Sequence, residues 1–272
     1  MSARSARKRK HSKPLAAALA AALLASLTAC SSTKTSGGDG TEVELVTSGK
    51  LKTCTHLPYT PFQFRQGKKI VGFDVGLVDL VAKDLDVSQE IVDTPFEGIQ
   101  SGEDLNAGKC DLAAAGMTIT PVRAKNLDFS APYFDATQAL LVKKGKSVTS
   151  FKDLKGKKLG VQQSTTGEEY AKKHAKGVTT VQFEDLGLLL TAVKTGQVQA
   201  GINDNGVLYD YAKKNPDTKV TKEFDTGEQY GIGVRRGNDA LRKQINKTIK
   251  KAKADGRYDK LYKKWFGTEP EK

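Results

Sequence analysis

Few residues in this chain have both the type and the placement to do chemistry. Its 272 residues contain three histidines, too scattered for a zinc site, and three cysteines, too few for a disulfide scaffold. The sequence holds no nucleophile constellation, phosphate-cradling glycine loop or metal-ligand cluster, so neither a catalytic role nor a cofactor is expected. His56, Gly116 and Asp204 stand at the carboxyl ends of strand-like segments, where ligands of open α/β sheets gather. Arg123 carries a planar guanidinium able to grip a carboxylate with two parallel hydrogen bonds. By residue type alone, each has a plainer role. Arg123 suits an exposed surface, and Asp204 suits a helix cap. Thr165 and Thr166 suit a turn, and Tyr59 and Phe96 suit core packing. A general acid or base would have to come from His56 or Glu97.

The elements that position these residues follow an α/β grammar. An extended Leu51 to Thr55 leads into a turn-rich segment. Asp74 is then expected to cap a helix that sets Leu77, Val78, Val81 and Leu85 on one face. Strand-like Gln89 to Val92, a second helical stretch and strand-like Asp111 to Gly116 follow. The pattern restarts near residue 151 with strand Lys158 to Gln162 and helix Glu168 to His174. A helix bearing Leu186, Leu189, Leu190 and Val193 is stopped by Gly196, and strand Val198 to Ile202 ends at Asp204. Tyr230 to Arg235 reads as one strand, Asp239 as the cap of a helix, and Arg257 to Trp265 as a short amphipathic helix. Alternating strands and helices imply mostly parallel sheets flanked by helices, in two units of roughly a hundred residues each.

The beginning of the chain reads as an address. Six basic residues and no acid precede a short Ala/Leu run from Leu15 to Leu27, the form of a secretory signal peptide over residues 1–29. The ending Leu27-Thr28-Ala29-Cys30 resembles a lipobox, with Cys30 as the acylated residue, and residues 31–41 form a Ser/Thr/Gly tether of the flexible kind. Setting the address aside lowers the net charge from +13 to +7. The remaining lysines lie along helix faces, not interleaved with aromatics, so nucleic acid is not an expected partner.

Five stretches bring the sequence close to a known family. They are GFDVGLVDLVAKDL (72–85), GKCDLAAAGMTITPVRAKNLDFSAPYF (108–134), DLKGKKLGVQQSTTGEEYAKK (153–173), GQVQAGINDNGVLYDYAKK (196–214) and YGIGVRRGNDALRKQINKTIKKAKADGRYDKLYKKWFG (230–267). In order and spacing they resemble the polar amino-acid-binding proteins of bacterial ABC uptake systems, the extracellular solute-binding proteins of family 3, which include glutamine-binding protein. The resemblance implies a two-lobe clamshell crossed twice by the chain, near Ala136 to Leu141 and near Gln229 to Gly231. Lobe 1 would be residues 42–137 plus 231–272, and lobe 2 residues 138–230. It implies a monomeric receptor, lipid-anchored on the outer face of the cell membrane, that hands a free L-amino acid to ABC permease subunits. An extracytoplasmic enzyme of dehydratase type on the same fold, or a signalling surface lipoprotein, is the alternative.

The site implied by the resemblance neutralises a zwitterion. Arg123 would bind the carboxylate, helped by hydroxyl or backbone donors of Thr118 and Thr166 in a turn shared with Thr165. Asp204 would face the ammonium beside the Gly116 carbonyl, and Tyr59 and Phe96 would form walls. His56 stands where many relatives have an acid, and a histidine there can donate to a carboxylate or amide. Glutamate or glutamine is therefore expected ahead of arginine or lysine, with Gln162 a contact for the ligand side chain. Ser164 replaces a frequent glycine, and Gln199 a frequent aspartate. The pairing of Cys54 with Cys110 stays open. Export favours a disulfide, but an offset near four residues at ~3.3 Å each on neighbouring strands opposes it.

Overall fold

The computed structural model describes residues 33–36 and 42–270. The expected signal peptide and Cys30 lie outside the described residues. Within the stretch expected to be a tether, Thr33–Ser36 (β1) pairs antiparallel with Glu42–Leu45 (β2), and a Lys34–Glu42 ion pair crosses between them. Two threonines in four residues give that segment the side chains a strand accepts.

The chain then forms β3 (Lys50–Thr55), the hairpin β4 (Phe64–Gln66) and β5 (Lys69–Val71), α1 (Phe73–Asp84), β6 (Ser88–Asp93), α2 (Phe96–Gln100), α3 (Glu103–Asn106), β7 (Leu112–Ala113) and β8 (Leu127–Phe129). A long strand, β9 (Phe134–Lys143), leaves this group. It leads to β10 (Lys158–Gln162), α4 (Thr166–His174), β11 (Thr179–Phe183), α5 (Leu186–Thr195), β12 (Ala200–Asp204), α6 (Asn205–Lys214) and a long returning strand, β13 (Thr218–Tyr230). Finally β14 (Gly233–Arg235), α7 (Asp239–Ala254) and α8 (Arg257–Phe266) rejoin the first group.

Two five-stranded sheets result, ordered β6-β3-β7-β14-β8 and β11-β10-β12-β9-β13. In each, two pairings are parallel and two antiparallel, so four strands share one direction and one opposes them. The sheets are thus more mixed than the sequence suggests, because one strand in each, β14 in the first and β9 in the second, runs opposite to its neighbours. Tyr230 to Arg235 is likewise not one strand. Tyr230 ends β13 in the second sheet, and Gly233 starts β14 in the first.

Helix α1 buries Leu77, Val78 and Val81 completely, and Leu85 at its C-cap is buried with them. Its N-cap is Gly72 and not Asp74. At φ 145° a Cβ on Gly72 would lie 2.0 Å from the Phe62 carbonyl oxygen, so glycine is required there. Asp74 sits inside the first turn, buried, where it accepts the Gly116 N–H at 2.7 Å and the Tyr133 hydroxyl at 2.8 Å. Asn238 caps α7 through Leu241 N–H, displacing the expected Asp239 by one residue. Helix α8 docks on α1. A Cβ on Gly76 would meet Leu261 at 2.5 Å, and the Tyr258 ring lies edge-on to Phe73. An aromatic cluster of Phe62, Phe73, Phe134, Tyr230 and Phe266 binds this helix to the points where β9 and β13 leave and rejoin the first sheet.

Cys54 and Cys110 are joined, with Cα atoms 5.6 Å apart. Cys54 pairs with Ala113, and Cys110 lies in the bend before β7 and not on the strand, so spacing by strand rise does not apply to it. Asp111 holds that bend by accepting from Val46 and Lys52 N–H, each at 2.7 Å. The bridge spans 56 residues of sequence, a loop whose closure restricts the unfolded chain by about 4 kcal/mol.

Candidate functional site

Between the carboxyl ends of the two sheets lies a cavity. His56, Tyr59, Phe96, Gly116, Thr118 and Arg123 reach it from the first group of elements, and Gln162, Thr165, Thr166 and Asp204 from the second. All ten residues singled out in the sequence therefore line one space. Gln63 and Ala115 line it too, and residue type alone does not draw attention to either. Glu97, the other acid weighed there, is exposed and does not line it.

Two opposite charges face this space, both 5% exposed. Buried charges need partners, and each has them. Arg123 Nη1 donates to the Thr118 carbonyl at 2.8 Å and Nη2 to the Ser164 carbonyl at 3.1 Å, so the guanidinium touches both groups of elements. Its carbon lies 5.1 Å from the centre of the Phe96 ring, a cation–π distance. Burial lowers its pKa, opposed by the charges of Asp204, Glu169 and Glu228. Two of five N–H groups are used, leaving donors for an incoming carboxylate. Ser164 adopts φ 63°, the left-handed region that favours glycine.

Asp204 holds the N-cap position of α6, yet makes no side-chain cap bond; Asn205 accepts the Gly206 N–H instead. Its carboxylate turns to the cavity. Tyr59 and Tyr230 hydroxyls donate to Oδ2, the former at 2.7 Å, and Gln138 Nε2 donates to Oδ1 at 2.5 Å. Burial, with the charge of Glu228 second, raises its pKa to about 6. Burial also raises Tyr59 and Tyr230 well above the usual phenol range, so both remain donors. Strand β12 begins two residues later than the sequence suggests, which brings Asn203 and Asp204 onto the strand itself.

Glu228, on β13, escapes the sequence reading. Thr118 and Thr166 hydroxyls each donate to its Oε2 at 2.8 Å, and Gln138 Nε2 approaches Oε1 at 3.1 Å. The hydroxyl protons of both threonines are thus committed, and the donor each retains is its backbone N–H. Nothing local in Thr226-Gly227-Glu228 signals this, because the contacts cross 62 to 110 residues of chain. Thr165 caps α4 by accepting the Glu168 N–H at 3.2 Å. Gly116 takes φ 57°, and a Cβ there would lie 2.6 Å from Tyr59 Cε1, so a side chain would displace the tyrosine.

The end of the cavity near His56 differs. His56 Nδ1 lies 2.9 Å from the Thr94 carbonyl, which can only accept, so Nδ1 carries a proton, and in the tautomer with that single proton Nε2 is an acceptor. Among the described residues no group of three His, Cys, Asp or Glu is placed to hold a metal ion, and no helix is long and apolar enough to cross a membrane.

Comparison with known proteins agrees with this arrangement. Residues 51–268 match the family of bacterial extracellular solute-binding proteins, family 3. The ABC transporter glutamine-binding protein GlnH of Bacillus subtilis is 38% identical over 206 residues, 74% of this chain and 75% of its own. A probable histidine-binding protein of Neisseria gonorrhoeae is 35% identical over 268 residues, 94% of this chain and 96% of its own. A solved structure of an ancestral arginine-binding protein bound to glutamine superposes with a TM-score of 0.77 at 44% identity, covering 82% of this chain and all of that one.

Proposed function

Because the chain belongs to the bacterial extracellular solute-binding proteins of family 3, we propose that its cavity closes on a polar L-amino acid, glutamate or glutamine in type ahead of cationic ones. The protein is an extracytoplasmic amino-acid-binding component of an ABC transporter, and it is a binding protein, not an enzyme. Arg123 takes the α-carboxylate and Asp204 the α-ammonium. Gly116 and Thr118 lie beside Asp204, while Thr165 and Thr166 approach the carboxylate from the start of α4. Tyr59 and Phe96 form the walls, and His56 and Gln162 meet the side chain. Lobe 1 is residues 42–137 with 231–272, and lobe 2 is 138–230. Their closure reports occupancy to the permease, and ligand affinity supplies the free energy of closing. Cys30 carries the lipid that holds the monomer at the membrane.

One observation carries this reading: two buried side chains of opposite charge, one from each group of elements, line the same space. A thermal-shift screen against the free L-amino acids tests it, since a ligand that binds only the folded state raises the melting temperature. A polar amino acid should give the largest shift, and no shift with any of them overturns the proposal. Anchoring is tested by labelled fatty-acid incorporation, which Cys30→Ala should abolish; retained label would reject it. A single species of monomer mass in light scattering is expected with and without the ligand.

A further inference from the structure

The geometry points to selection of a ligand side chain that ends in an uncharged N–H donor, a carboxamide, by two acceptors, His56 Nε2 and Gln63 Oε1. This inference rests on the amino-acid reading above and goes on to name the side-chain class. Both atoms are buried and lack any hydrogen-bond partner, and both residues line the cavity. Gln63 is 1% exposed, so water outside the protein cannot serve it. The orientation of each group has a physical cause. The Thr94 carbonyl holds the proton on His56 Nδ1, and the backbone carbonyl of His56, 3.5 Å from Gln63 Nε2, turns the amide so that its oxygen faces away from it. Reversing the amide would set two oxygens against each other.

Two buried lone pairs without donors are costly to leave unmet, and a ligand nitrogen bearing two protons satisfies both. A carboxylate placed there would add a third acceptor and a negative charge. A methylthio or alkyl terminus would leave both acceptors unserved. A cationic head would supply donors, but its charge would find no acid: Arg123 and Asp204 are the charged side chains lining the cavity, and the zwitterion consumes both. Gln162 completes the match. Its Oε1 accepts from Asn203 Nδ2 at 3.1 Å, which leaves its own amide N–H groups for the carbonyl of the ligand's carboxamide.

The test is calorimetric titration of the full chain with L-glutamine, L-glutamate, L-methionine and L-arginine. Glutamine should bind tightest, and glutamate and methionine about 5- to 100-fold more weakly. Gln63→Met keeps volume and removes the acceptor, so it should narrow the ratio of glutamine to methionine. Gln63→Glu should move the ranking toward arginine. Wild-type binding of glutamate or arginine as tight as glutamine, or a ranking unmoved in both variants, overturns the inference while leaving amino-acid binding intact. Binding of none of the four by the wild type overturns the inference, and the amino-acid reading falls with it only if the thermal-shift screen also finds no other amino acid that binds. If Gln63→Met does not fold, the wild-type ranking alone decides.

Discussion

Around Asp204 each carboxylate oxygen already accepts a hydrogen bond, from Tyr59, Tyr230 or Gln138, while around His56 and Gln63 two buried acceptors have no donor. Arg123 resembles the first case, held by two backbone carbonyls and the Phe96 face. The end proposed to hold the zwitterion is thus assembled in advance by the protein's own bonds, which lowers the cost of ordering it when a ligand arrives. The other end is completed only by a ligand of matching polarity. On the proposed reading, common recognition is built from satisfied charges, and discrimination from unsatisfied neutral acceptors.

The most damaging way to break the zwitterion end is to remove the guanidinium. Arg123→Ala should weaken amino-acid binding about 100-fold or more, because the ligand carboxylate loses a buried charged partner worth about 3 kcal/mol. Titration calorimetry reads this, and wild-type affinity would reject the assignment. Asp204→Asn comes next, with an expected loss of about 30-fold as the ammonium loses its counter-charge.

Acidification probes the same end without mutation. An ammonium favours the ionised carboxylate, so affinity should be level above pH 6 and fall toward tenfold per unit below it, as Asp204 takes up a proton. Ligand-free stability should move the other way. Asp74 and Asp204 are both raised to about 6 by burial, so between about pH 4 and pH 6 the folded chain holds protons that the unfolded chain releases. Stability of the free protein therefore falls as pH rises through that window, and is flat above it. Melting curves with and without ligand from pH 4 to pH 8 check both signs; parallel curves would contradict the assignment.

The smallest effect sharpens the comparison most. Glu228→Gln removes the neighbouring charge that helps raise Asp204. Affinity at neutral pH should change only a fewfold, while the acid midpoint of binding moves downward. An unmoved midpoint would show that Glu228 acts only by holding the Thr118 and Thr166 hydroxyls.

Much of the architecture is legible along the chain. The 158–162 strand, the helix stopped by Gly196 and the apolar face of α1 follow from periodicity and capping, which are local properties. The misreadings are instructive. Asp74 has the side chain of a cap, but packing buries it beneath Gly116 and Tyr133. Cys110 looks like part of a strand, but Asp111 bends the chain at that point and brings it to Cys54. The ten positions that line the cavity came from the resemblance carried by motif order, since by residue type alone Arg123, Asp204, Tyr59 and Phe96 each suit a plainer role.

Composition and spacing by themselves determined an α/β chain of alternating strands and helices, and the order of its motifs determined the family it resembles. Only the folded arrangement decided the polarity of the side-chain end and the role of Glu228. A histidine tautomer, an amide orientation and a carboxylate shared by two threonines depend on which carbonyl or hydroxyl lies within 3 Å or so. Such neighbours come from segments tens of residues away, and no local pattern encodes them.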